Sequence, residues 1–174
     1  MTDRRTLLAG AGLAGLAALP LAARAGAAGA AAGPDYYRLF IDVIRAWKSH
    51  DIEAVLAHMA EDVEWYSFVG APPTIGRDKV RAQLGQLAAK RSAEEWRIFH
   101  HAVNGTRLFV EGVDAYTDDA GHRIAVPYAG VIEYRDRLIT SWRDYFDLGT
   151  MNRMKAGEPV PAAIEPLVSR DGEP

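Results

Sequence analysis

Ser141-Trp142-Arg143-Asp144-Tyr145-Phe146-Asp147 is the last of a series of strand-like segments, and it holds an acid where a core residue is expected. Trp142, Asp144 and Phe146 share one parity, so on a β-strand they face the same side. A carboxylate between two large aromatics on a core-facing side is costly to bury unless something pairs with it or uses it. An earlier segment repeats the pattern: Leu108, Val110, Gly112, Asp114 and Tyr116 alternate onto one face. Two acids aimed into one apolar interior are the kind of pair acid–base chemistry requires.

The second half of the chain is strand after strand. Glu95 to Val103 ends at Asn104-Gly105, a strong hairpin signal. Arg107 to Thr117, Arg123 to Tyr134 and Leu138 to Asp147 follow, separated by short polar turns. Pro127 marks an edge or a bulge, because proline cannot donate to a strand ladder. The first half reads as helical. Tyr37, Phe40, Ile41, Ile44 and Trp47 form one apolar stripe over 35–49. Asp51 looks like the N-cap of a shorter helix carrying Ile52, Val55, Leu56 and Met59. Val63 to Phe68 reads as a strand, closed by Gly70-Ala71-Pro72-Pro73, and a third helix runs from Arg77 to about Arg91. Helices first and a meander last indicate an α+β domain. A strongly curved antiparallel or mixed sheet around the helices leaves a pocket at its mouth, with Gly112, Pro127 and Gly130 as candidate points of curvature.

The ends of the chain carry other information. Arg4-Arg5 followed by leucines, a Gly/Ala/Leu run and Ala23-Arg24-Ala25 read as a twin-arginine export signal over 1–25. That predicts a periplasmic or secreted protein, with no stable membrane insertion once the signal is cut. Residues 26–33 form an Ala/Gly spacer, 34–152 the domain, and 153–174 an irregular tail along the surface. The chain has no cysteine, which excludes thiolate catalysis and Cys-zinc sites. The net charge is −3 and no Lys/Arg stripe stands out, so nucleic acid is not an expected partner. No metal-ligand set or cofactor motif is visible, and none is expected.

The chain resembles limonene-1,2-epoxide hydrolase and its relatives in the NTF2-like, or SnoaL-like, superfamily. The resemblance rests on Asp51-Ile52-Glu53-Ala54, Trp65-Tyr66 ahead of Pro72-Pro73, Gly76-Arg77-Asp78, Glu111-Gly112-Val113-Asp114, Gly130-Val131 and the run from Ile139 to Leu148. It implies a cone-shaped fold and cofactor-free addition of water to a small hydrophobic epoxide. It further implies Asp144 as the base that activates water, Asp114 as the acid and Tyr66 as the residue that positions the water. The family's bridging arginine falls on Gly112 and its asparagine on Phe68. Without the cation, two nearby carboxylates share a proton. His100 and His101 are candidate substitute donors, of which alternation lets only one point inward, and a satisfied or solvent-facing histidine is the competing reading. Trp65, Phe68, Gly112, His101, Tyr128, Trp142 and Phe146 are expected to line the pocket around a small hydrophobic molecule. Two alternatives remain: a ketosteroid-isomerase-like or cyclase-type proton transfer, and a non-catalytic module for an apolar ligand. A homodimer through the outer sheet face is expected, with Val113 and Tyr145 as exposed apolar residues there.

Overall fold

The computed structural model describes residues 33–174. The expected export signal and all but the last residue of the spacer lie outside the described residues. Helix α1 (Tyr36–Lys48) begins where Asp35 accepts a hydrogen bond from the Arg38 amide at 3.0 Å. Its buried side is built from Tyr36, Leu39, Phe40, Ile41, Val43, Ile44 and Trp47. Helix α2 (Ile52–Ala57) is capped in the same way by Asp51. Strands β1 (Met59–Tyr66) and β2 (Thr74–Ile75) precede helix α3 (Arg77–Ala88). Four long strands follow: β3 (Arg91–Asn104), β4 (Arg107–Asp118), β5 (Arg123–Arg135) and β6 (Leu138–Phe146). Helices α4 (Leu148–Lys155) and α5 (Glu165–Val168) end the chain.

The six strands form one sheet in the order β2-β1-β6-β5-β4-β3. Only the β1–β6 pair is parallel among these neighbours, so the sheet is mixed. This is the α+β arrangement the element order implied. The main core fills the concave face, where α1, α2 and α3 pack against Leu108, Val110, Ile132, Ile139 and Trp142.

Curvature arises at different points from those expected. Pairing of β4 with β5 runs unbroken through Gly112, Pro127 and Gly130. The irregularities lie in β3, between Ser92 and Glu95 and between Ile98 and His100, with others where β1 and β5 pair β6. Strand β5 is interior rather than an edge. Pro127 fits there because it lies one residue beyond the last β5–β6 pair, Tyr128 with Phe146, so no β6 residue stands opposite.

The tail is more ordered than its prolines implied. Helix α4 is capped by Asp147, which accepts from the Thr150 amide at 3.1 Å. Val168 of α5 packs on Val113, Ala115 and Ala125 on the convex face. Arg97 donates from Nε to the Val168 carbonyl at 2.6 Å, and Glu173 bridges to Ile98 on the β3 edge. Val113 is therefore fully buried, contrary to the expectation that it lies exposed, whereas Tyr145 is exposed.

Candidate active site

The mouth of the concave face opens into a cavity of about 260 Å³. All four tryptophans of the chain, Trp47, Trp65, Trp96 and Trp142, contribute to its wall. Phe68 and Phe146 complete the aromatic lining, their rings edge to face at 6.5 Å. Asp114 and Asp144 both line this cavity, so strands β4 and β6 bring the two acids to one space across β5.

Asp144 is held by geometry that is local in sequence. Trp142, two residues earlier and on the same face of β6, donates from its indole Nε1 to Asp144 Oδ1 at 2.9 Å. Opposite stands Gly130 of β5, where an added Cβ would lie 3.3 Å from Asp144 Oδ1 and 2.9 Å from Val110 Cγ2. Glycine thus keeps the space the carboxyl group occupies. Burial pushes the Asp144 carboxyl up to about 7, against the pull of the Trp142 hydrogen bond and with a further push from Asp114.

Asp114 has a different environment. Arg91 donates from Nη2 to Asp114 Oδ1 at 2.7 Å and to Glu94 Oε2 at 2.9 Å. Its Nε lies 2.8 Å from Glu94 Oε1, and the guanidinium stacks over Tyr116 at 3.6 Å from the ring centroid. The cation is thus clamped between two carboxylates and an aromatic face. Burial pushes Glu94 up and Arg91 pulls it back, and burial drives the Tyr116 hydroxyl to about 12.

A bulge delivers this group. Ala93 and Glu94 together oppose Tyr116, and Ala93 has φ +51°, so β3 changes parity there. Arg91, Glu94 and Trp96 consequently all face the interior, which strict alternation forbids. The sequence reading carried the third helix to about Arg91, but α3 stops at Ala88 and Arg91 opens a strand. The i,i+3 spacing of Arg91 and Glu94 looks like an exposed helical pair, and no residue pattern announces the bulge. Ser67 and Tyr116 also line the cavity and were not anticipated.

Tyr128 reaches the cavity from β5, and its hydroxyl accepts a hydrogen bond from Trp96 Nε1 at 2.6 Å. Accepting this bond leaves the phenol its own proton to donate. Burial, then the charge of Asp144, raise this hydroxyl well above its ordinary range.

Three expected site residues lie elsewhere. Tyr66 follows Trp65 on β1, so inward placement of Trp65 turns Tyr66 outward, where its hydroxyl donates to Glu64 at 3.1 Å. His101 is exposed at the far end of β3 and stacks on Tyr37 with centroids 3.6 Å apart, while His100 lies beside Arg170. Gly112 leaves no hole. A Cβ there would fall on the carbonyl oxygen of Arg97, because the second β3 bulge presses the backbone against it. No arginine fits at that position, and the cation comes from Arg91 instead. Trp65, Phe68, Tyr128, Trp142 and Phe146 line the cavity as expected. Arg143 points away from it, towards Ser141 and Glu133. Among the described residues no cluster of three or more His, Asp or Glu side chains is placed to share a metal ion.

An α+β cone with an acid pair in an aromatic cavity is an architecture of the NTF2-like, ketosteroid-isomerase-like fold, and solved structures bear this out. An NTF2-like protein of unknown function from Burkholderia pseudomallei has a TM-score of 0.64 and 20% identity, over 70% of this chain and 97% of the other. A protein with a ketosteroid isomerase-like fold from Catenulispora acidiphila, in complex with trimethylamine, has a TM-score of 0.61 and 22% identity, over 74% and 97%. An LEH-like epoxide hydrolase from M. tuberculosis has a TM-score of 0.61 and 26% identity, over 68% and 87%. The limonene-1,2-epoxide hydrolase catalytic domain matches residues 37–156, and the chain belongs to that family.

Proposed function

We propose that this protein adds water across the epoxide ring of a small hydrophobic, cyclic molecule to give a vicinal diol, with Asp114 and Asp144 as its acid–base pair. The observation that carries the reading is the convergence of these two carboxyls in one aromatic cavity within a limonene-1,2-epoxide hydrolase domain. One carboxylate takes a proton from water as the water oxygen attacks a ring carbon. The other carboxyl gives a proton to the ring oxygen as the carbon–oxygen bond breaks. Tyr128 supplies a further donor to the cavity and Ser67 a hydroxyl for the water. A cavity of about 260 Å³, under the roughly 300–1,000 Å³ of drug-sized sites, matches a compact apolar substrate.

The test is turnover of limonene oxide and cyclohexene oxide in ¹⁸O-labelled water. Labelled diol that is lost in both Asp144→Asn and Asp114→Asn is the expected result. Absence of diol from a broad epoxide panel with the unaltered protein sinks the reading.

A second reading is favoured by one observation: a half-buried carboxyl raised to about 7, in the same cavity as Tyr128, suits proton transfer on a cyclic enone. Deuterium exchange into such a ketone, without diol formation from any epoxide, would establish it. We also infer export by the twin-arginine route from residues 1–25, tested by N-terminal sequencing of the periplasmic protein. A homodimer would use the part of the outer sheet face left open around Phe109 and Tyr145, and light scattering of the purified protein tests it.

A further inference from the structure

We propose that the acid pair is charged in the opposite sense to the one the family resemblance implies: Asp144 holds the proton that goes to the epoxide oxygen, and Asp114, clamped by Arg91, is the carboxylate that takes a proton from water. This rests on the hydrolase reading for its chemistry, but the location of the proton stands apart from it.

The position of the cation decides the sense. The resemblance places an arginine at 112, between the two acids. Here that position is closed by the Arg97 carbonyl, and the guanidinium arrives from the bulged end of β3. It bonds Asp114 at 2.7 Å, with Glu94 holding its other edge at 2.8 and 2.9 Å. Among the described residues no hydrogen bond joins Arg91 to Asp144. Among the described residues the one hydrogen-bond donor to the Asp144 carboxyl group is the neutral Trp142 indole. An anion at Asp144 would lie half-buried among aromatic rings without a counter-ion, an unfavourable state that a proton removes. An anion at Asp114 is already paired.

Of Arg91's two carboxylate partners, Asp114 is the one water can reach: its side chain is 21% exposed and that of Glu94 3%. The charged and titratable groups around Asp144 are Asp114 and Tyr116 on β4, Tyr128 on β5, Arg91 at the start of β3 and Lys155 on α4 at the cavity rim. From α1, α2, α3 and β1 the cavity receives no ionisable side chain. Lys155 is exposed and forms no ion pair with Asp144. The surroundings therefore offer Asp144 no replacement for the missing cation.

The step then balances. The water oxygen bonds to a ring carbon, and the electron pair of the breaking carbon–oxygen bond goes to the ring oxygen. That oxygen takes the proton of Asp144, and the attacking water gives one proton to Asp114. A proton passed back from Asp114 to Asp144 through cavity water restores the starting state, with one water added to the substrate. A pH–rate profile does not separate the two assignments, because both active forms carry the same single proton.

Carbon-13 NMR of protein labelled at the aspartate carboxyl carbons reads the proton directly. Spectra are recorded from pH 4 to 9 for the unaltered protein, Asp144→Asn and Asp114→Asn. A carboxyl resonance that titrates near neutrality, is missing from Asp144→Asn and is present in Asp114→Asn supports the proposal. Any other pattern overturns it. Azide, which attacks without giving up a proton, gives a second reading of the roles. Asp114→Asn should form azido alcohol while losing diol by at least 100-fold, and Asp144→Asn should form neither; azido alcohol from Asp144→Asn alone overturns the assignment. If the NMR pattern holds and the unaltered protein opens no epoxide, the hydrolase reading fails and the proton placement stands. If diol forms and the NMR pattern is reversed, the reverse is true.

Discussion

Asp144 lies half-buried between Trp142, Phe146 and the wall of the cavity, and its stability effect follows from its raised pKa. The folded protein binds this proton more tightly than the unfolded chain does. The contribution of Asp144 to stability therefore falls as pH rises from the ordinary value of 3.8 to about 7. Above that window the penalty is on the order of 4 kcal/mol, and below it the penalty vanishes. Asp144→Asn should accordingly be more stable than the unaltered protein in urea unfolding at pH 8, and near neutral at pH 4. An equal gap at both pH values would contradict the burial argument. At Gly112 the prediction has the opposite sign. Gly112→Ala puts a Cβ on the Arg97 carbonyl and should cost about 3 kcal/mol or prevent folding, read as a lowered thermal midpoint. Parity alone identified Asp144, Trp142 and Phe146 as companions. It did not identify Tyr66 as outward, because that choice depends on which way Trp65 turns when β1 joins the sheet.

At the scale of an element, β3 carries the decisive departure from regularity. Two of its residues oppose one of β4, which lets Arg91 and Trp96 share a face despite opposite parity. Ala93 holds a positive φ that side chains disfavour. Ala93→Gly should therefore raise the unfolding free energy by about 1 kcal/mol without loss of turnover. Deletion of Ala93 removes the extra residue and leaves Arg91 opposite Asp118 on the inner face, so diol formation should survive it. Arg91→Met, which removes the cation, should instead lower diol formation by roughly tenfold or more. Full activity in Arg91→Met would show that Arg91 does not matter. The bulge escaped sequence reading because Arg91-Ser92-Ala93-Glu94 also satisfies helical spacing, and only pairing with β4 distinguishes the two.

For the whole molecule, the convex face of the sheet is closed by the end of the chain. Val168 lies on Val113, Ala115 and Ala125, and Glu173 pairs with the free edge at Ile98. Truncation after residue 158 would uncover that apolar face and the edge of β3 together. The expected result is lower solubility and a thermal midpoint reduced by several degrees, measured beside the full chain. An unchanged midpoint would show that the tail is dispensable. Pro159, Pro161 and Pro166 in the tail pointed to irregular structure, and the sequence offered no measure of what the tail covers.

Apolar periodicity, turn residues and the parity of Trp142, Asp144 and Phe146 determined the α+β class, the order of elements and the two acids. These are properties of local spacing, which the chain carries whatever its neighbours do. Only the tertiary structure decided where the cation lies, which tyrosine enters the cavity and what becomes of Gly112. Each of those depends on register and bulges between strands distant in sequence, where a shift of one residue exchanges the inside for the outside.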